Sequence, residues 1–470
     1  MREEHRTWSL ALAGAGLAGV ALTSVAALAQ DLPNPALTFS YSSTLNVNDN
    51  LGLDPTSAGT STWLDNKLGL SYSSETATSQ LSLGASGVLR LSDLAGQGQD
   101  AAFDNGTLNL NYARQGANSQ LGFDAKYNKV DVAFFDPLLL IPDPENPVDS
   151  GDLSTSAAGS RETRQASLKF ATGLEGPFGM NFAASRNERR FHDTPDPDFF
   201  DTTRTSLSVG ATLRPSARTG LSFTLSQTDY SAEDATQTQR NTRRAVLGLT
   251  QALDDATSLS FSLGQTWIEK DQDIGLATIH TEESGLNGGI ALSRALSNGT
   301  IGLSLNHDIS SDGKTRTDLQ LTRAMELPNG SLSLAIGPSF HDGGKSGLAG
   351  SLNYGRDLPQ GSLRAAASRG FSTNDQDDSI DTTRLNLGWS HDLTPTSGLD
   401  LSLDYLNIDS EAAGGDRERA RLQVAYTLDL ADDWQLSGGY AHTYSDKETT
   451  GTAQSNSVFV TIGRSVSFAP

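Results

Sequence analysis

The sequence predicts an all-β fold: one closed, up-and-down antiparallel transmembrane β-barrel of about 22 strands, within a range of 18 to 24. Three observations predict it. Strict period-2 alternation runs from residue 36 to the end, each run showing one apolar face and one of Ser, Thr, Gly, Asn or Gln. An apolar segment of targeting type precedes it. Tight turns alternate with longer, acidic connections, which is how short periplasmic turns and external loops are arranged.

Composition narrows the function classes. The 470 residues carry 34 basic and 56 acidic side chains, a formal net charge of −22. Nucleic-acid binders present a basic face, so this balance argues against one. Cysteine is absent, which excludes disulfides, thiolate metal sites and a lipoprotein acyl anchor.

Residues 1–29 read as a signal peptide. Arg2 and Arg6 open it, Trp8–Ala26 is its apolar run, and Ala27-Leu28-Ala29 is the small-x-small ending that signal peptidase needs. An uncleaved helical anchor is the alternative, since the run approaches the ~20 residues that span a bilayer. The expected mature chain is residues 30–470, a single barrel domain exported to the cell outer membrane. Only Gln30–Pro35 lies between cleavage and the first strand, which argues against a siderophore-type transporter with an amino-terminal plug.

The alternation places strands near 36–47, 61–73, 79–92, 103–115, 118–133, 161–172, 177–191, 201–213, 219–231, 238–250 and 256–270. It continues near 278–293, 299–311, 313–326, 330–342, 345–358, 360–374, 380–392, 397–411, 416–430, 432–446 and 455–468. Leu207, Val209, Ala211 and Leu213 against Ser206, Ser208, Gly210 and Thr212 is one clear case. Tight turns follow even strands, as at Pro328-Asn329-Gly330 and Pro359-Gln360-Gly361. A propeller or solenoid with this hairpin period would bury both faces of most strands, and here one face is uniformly small and polar.

The last strand carries Thr461-x-Gly463-x-x-Val466-x-Phe468. It resembles the carboxy-terminal β-signal through which the barrel-assembly machinery recognises its substrates, and the resemblance implies that machinery as a partner. An edge strand with free backbone groups and docking apolar side chains suits such recognition. An ordinary amphipathic final strand would read the same way.

Aromatics at strand ends read as headgroup-level girdles: Tyr41, Trp63, Tyr72, Tyr112, Tyr127, Tyr230, Trp267, Tyr354, Trp389, Trp434 and Tyr440. The polar face holds a second pattern. Arg204, Arg244, Arg316, Lys345, Arg384 and Arg419 each stand three positions before the first outward Leu of a descending strand. An odd offset flips the face, so all six point into the lumen at similar depth near the external end. Glu283 shares the register, and Arg189, Arg364 and Arg421 share the inward parity. One reading is a cationic collar selecting anionic solutes. The other is internal pairing, with Glu188, Asp229, Asp318, Asp404 and Asp416 as partners.

The longest connection, residues 136–160, carries Leu138-Leu139-Leu140-Ile141 with Asp143, Glu145, Asp149 and Asp152. Its apolar tip suits a constriction folded into the lumen; an external loop is the alternative. No metal or cofactor is expected. The histidines are scattered without ligand spacing, and the oxygen-rich Asn46, Asn48, Asp49, Asn50 and Asp54 lack a calcium loop's order. Enzyme activity is not expected.

Taken whole, with Asp49-Asn50 after the first strand, then Leu68-x-Leu70-x-Tyr72 and Leu81-x-Leu83, the chain resembles a loosely defined group of porin-like outer-membrane β-barrels of Gram-negative bacteria. Some of these stand beside exopolysaccharide loci. The resemblance implies an envelope channel for polysaccharide or small solutes, with outer-membrane lipid and lipopolysaccharide as surroundings. Two function classes follow: a channel for small or anionic solutes or polysaccharide, and a structural or adhesive barrel with a closed lumen.

Overall fold

The structure, a computed structural model, describes residues 36–134, 138, 159–194, 199–311, 313–373, 377–431 and 433–468. The signal-peptide segment therefore lies outside the described residues. So do Leu139, Asp143, Glu145 and Asp149.

The described chain forms one 22-stranded antiparallel sheet. Its first strands are β1 Ala36–Asn48, β2 Ser61–Glu75, β3 Ser79–Leu94, β4 Gly98–Gln115 and β5 Ser119–Asp131. Then come β6 Ser160–Thr172, β7 Phe178–His192, β8 Thr202–Ser216, β9 Thr219–Ala232, β10 Gln239–Ala252 and β11 Thr257–Ile274. They are followed by β12 Ala277–Leu296, β13 Gly299–Ile309, β14 Thr315–Leu327, β15 Gly330–His341, β16 Gly347–Leu358 and β17 Gly361–Thr373. The last are β18 Ser379–Thr394, β19 Ser397–Ser410, β20 Arg417–Asp429, β21 Trp434–Lys447 and β22 Gly451–Phe468. Each strand pairs with the next, and β1 pairs with both β2 and β22, in register from Leu37↔Phe468 to Asn48↔Ser457. The sheet is therefore closed, and the expected strand number is the number found.

Packing follows from parity. Phe170, Phe182, Val209 and Leu225 are consecutive cross-strand partners on β6 to β9. All stand between 37% and 49% exposed. Similar outward positions recur around the wall, such as Leu247, Phe261, Leu263, Leu286 and Leu303. So continuous an apolar surface is stable against hydrocarbon and not against water. No described helix is long and apolar enough to cross a membrane; the strands themselves cross. Inside, apolar side chains such as Trp63, Tyr230 and Leu406 are buried together with polar ones such as Arg90, Arg189 and Asn287.

Three departures from the sequence reading have physical reasons. External hairpins extend further than the apolar alternation suggests: β11 runs for 18 residues and β12 for 20. A spanning strand needs only ~9–11 residues, so backbone pairing continues into water, where side-chain alternation no longer marks it. Lys345 lies two residues before β16 rather than on it. Trp63 and Tyr230 are not girdle residues. They fall on the parity opposite Leu68 and Leu225 and are buried in the lumen. One irregularity explains itself: Pro338 lacks an N–H, and the β14–β15 ladder skips Leu319 and Gln320 beside it.

Candidate functional site

The external half of the lumen is lined by basic side chains set there by the alternation. Arg204 and its cross-strand neighbour Tyr230 share the inward face. The Tyr230 ring lies between two guanidiniums, Arg204 at 5.3 Å and Arg240 at 4.9 Å. Three other collar residues reach over two intervening strands. Arg244 on β10 meets Asp308 on β13 at 2.6 Å. Arg316 on β14 donates to the carbonyl of Phe371 on β17 at 2.5 Å. Lys345, before β16, instead places its ammonium on Asp409 of β19, on the parity of the outward Leu401 rather than toward the lumen. Diagonal reach of this kind suits a tilted barrel, whose sheared strands bring such residues to one level.

Arg384 and Arg419 flank Leu406 on the two neighbouring strands, and Arg417 is the cross-strand partner of Ile408. Arg421 pairs across to Asp404, whose carboxylate also accepts from Asn386 at 2.6 Å. Four inward arginines thus share one wall, β18 to β20. Leu406 and Ile408 interrupt its polar face.

A segment after β5 crosses to that wall. Asp131 starts it: its Oδ1 accepts from the Ala133 N–H at 2.8 Å, an Asx turn leading into the 3-10 turn Val132–Phe134. Phe134 lies edge-on to Trp63 at 5.3 Å and caps Arg90 at 3.5 Å. Arg90 is itself fixed by Asp65 and Asp104, each at 2.7 Å. Leu138 is then buried against Leu406 and Ile408. Between this strap and the wall lies a cavity of about 240 Å³, lined by Asn46, Asn48, Trp63, Phe134, Arg419 and Arg421 among others. A second connection reaches in from elsewhere on the rim: Asp377, between β17 and β18, lies 3.6 Å from Arg240 and contacts Lys270.

Sequence reasoning missed Arg90 and Arg417, which lie beside their cross-strand neighbours Asp65 and Ile408, and Arg240, whose partner Asp377 is distant in the chain. The apolar pair Leu406 and Ile408 did carry a signal, because both break the polar parity set by Asp400, Ser402 and Asp404. The oxygen-rich residues after β1 satisfy one another. Asn48 accepts from Asn50 N at 2.7 Å, and Asn50 donates to the carbonyls of Asp54 and Gln454. Among the described residues no group of three or more His, Asp or Glu is arranged to hold a metal ion.

In β22, Thr461 faces inward and shares a hydrogen bond with Thr44 at 2.9 Å. Gly463 pairs with Ser42 and Gln435. Val466 and Phe468 meet Phe39 and Leu37 at the closing seam.

Fold and outward face together define a closed transmembrane β-barrel, the class found in Gram-negative outer membranes. No protein-family model matches the chain, and no curated protein matches it. Among solved structures it is similar in fold to the ferric-catecholate import receptor Fiu of E. coli K12. That similarity has a TM-score of 0.57 at 10% identity, covering 93% of this chain and 82% of that one. It is similar to the siderophore receptor PirA of Acinetobacter baumannii, with a TM-score of 0.55, 8% identity and coverage of 93% and 81%. It is also similar to the ferric yersiniabactin uptake receptor FyuA of Yersinia pestis, with a TM-score of 0.54, 12% identity and coverage of 93% and 81%. At these identities the likeness is one of fold.

Proposed function

We propose that this chain is exported to the outer membrane and serves there, without catalysis, as a channel for small anionic solutes. The strap after β5 narrows its external half. One observation carries the reading: Leu138 rests on Leu406 and Ile408, whose cross-strand neighbours are Arg384, Arg419 and Arg417. A solute passing the strap meets four arginines, with Asp404 across from Arg421 and Asp400 further along the same inward face of β19. Fixed positive charge at a constriction favours anions.

Polysaccharide passage belongs to the same reading if the strap moves aside. The structural neighbours include proteins named for import and uptake, which agrees with solute movement. A closed structural or adhesive barrel is the second reading, favoured by the contacts that Leu138 and Asp377 make across the rim. Planar-bilayer recording separates them. The channel reading expects discrete current steps with a reversal potential displaced toward the anion equilibrium. Folded protein that passes no current would leave the structural barrel.

A further inference from the structure

We propose that the outer faces of β5, β6 and β7 carry a site for phosphate groups of a membrane lipid headgroup, with Arg164, Arg186 and Arg190 as donors. The inference is independent of whether the barrel conducts. Arg164 shares its face with Phe170, and Arg186 and Arg190 share theirs with Phe182. All three therefore point away from the lumen. Along β7 the outward positions change from Phe182 and Ala184 to Arg186, Glu188 and Arg190. Arg186 is four residues beyond Phe182, about 13 Å at the rise of an extended strand. That is the step from hydrocarbon to headgroups, at the external end of the strands.

The cluster is built rather than incidental. Arg164 turns Nε and Nη2 onto Glu162 Oε1, at 2.6 and 2.5 Å. Arg186 turns the same pair of nitrogens onto Glu188 Oε1, at 2.7 and 2.6 Å. Arg190 approaches Glu188 only to 3.8 Å. The two carboxylates are nearly covered, 9% and 12% exposed, whereas the guanidiniums are about half exposed. Buried carboxylates thus hold the arginines in place, Arg164 Nη1 also approaching Glu188 at 3.8 Å, while the three guanidiniums stay about half exposed. Lys129, the cross-strand partner of Glu162, adds a fourth cation.

Four basic groups against two carboxylates leave a net positive patch on a chain of net charge −22. Elsewhere on the outward face above the apolar belt a single cation meets its acidic partners, as in Arg243–Glu269, Arg369–Asp381 and His280 between Asp271 and Glu282. Guanidinium forks suit phosphate oxygens, and a charged lipid headgroup is the anion that a membrane presents at this height.

The test uses the full chain in detergent with purified lipopolysaccharide as probe, retention being read by native mass spectrometry. Wild-type protein should retain the lipid. The triple variant R164Q/R186Q/R190Q should lose roughly ten-fold or more of that affinity, given what charge-assisted hydrogen bonds contribute. Lipopolysaccharide stripped of its phosphates should bind wild type as weakly. If the triple variant does not fold, R190Q alone serves, because it leaves both forked pairs intact and should still weaken retention. R243Q, which breaks the outward Arg243–Glu269 pair, should change nothing. Equal retention by wild type and variants would overturn the site and leave the cluster a salt-bridge lattice. Displacement of the lipid by equimolar inorganic phosphate would overturn the lipid assignment in favour of a free-anion site. An equal loss in R243Q would show diffuse attraction and overturn it too.

Discussion

Leu138, which follows β5, is buried against Leu406 of β19, a strand separated from β5 around the wall by β1–β4 and β20–β22. A contact of that span places the strap inside the barrel. The chain has no cysteine of its own, so the double variant L138C/L406C offers a clean cross-link. Oxidation should join the two and suppress fluctuations of the bilayer current, and reduction should restore them. L138D should release the strap, because a carboxylate cannot remain buried between two aliphatic side chains without large cost. Its expected signature is a larger conductance step at unchanged barrel stability. Failure of the pair to cross-link under oxidant would remove the strap from the lumen.

Selectivity should follow the arginines of the wall at β18 to β20 that the strap meets. R384S, R419S and R421S should each move the reversal potential toward zero, because each removes a fixed positive charge from the wall that the strap meets. The preference should also weaken with salt, because the screening length falls from about 10 Å at 0.1 M to about 3 Å at 1 M. Reversal potentials that are the same in all variants would dispose of an electrostatic filter.

Arg90 anchors the start of the strap. It is 4% exposed and holds two aspartates, Asp65 at 21% and Asp104 at 10%. R90A would leave those carboxylates close together without their cation, and breaking a buried pair costs about 3–5 kcal/mol. It would also remove the surface on which Phe134 packs. The expected result is a lower unfolding temperature in detergent and faster proteolysis after β5. R90K should recover part of the stability and little of the Phe134 packing, because an ammonium lacks the planar fork. Wild-type stability in R90A would show the cluster to be dispensable.

Much of this architecture is legible in the sequence because the barrel obeys one rule throughout. Period-2 alternation marks every strand, and the odd offset from Arg204 to Leu207 is enough to send Arg204 inward. Legibility ends where side chains meet across the lumen. Arg90 meets Asp65 directly across the β2–β3 ladder and Asp104 on the next strand, whereas nothing near Leu138 points to Leu406. Asp377 likewise meets Arg240 and Lys270 only because the barrel closes. Trp63 and Tyr230 show the reverse failure: composition suggests a girdle, and parity alone, applied strictly, would have placed both inside. At the outer rim the alternation fades while backbone pairing continues, which is why β11 and β12 outrun their apolar pattern.

The closing seam yields the last prediction. Beyond the final β1–β22 pair, Asp49 accepts from the backbone N–H and the side-chain amide of Asn456, each at 2.7 Å. Partial burial is the largest single influence on the Asp49 carboxyl and pushes it up. The hydrogen bonds from Asn456, with the nearby His442, outweigh that and hold it below the usual carboxylate range. A carboxylate depressed in the folded state stabilises above its unfolded value, and that contribution is lost as pH falls through the lowered one. D49A should therefore unfold at a lower temperature than wild type at neutral pH, by an amount kept small by solvent screening. In acid below the usual carboxylate range the two curves should converge. N456A should behave like D49A, since it removes the donor side chain and loosens the same tie. A difference between wild type and D49A that persists undiminished in acid would show that the charge on Asp49 is not what secures the seam.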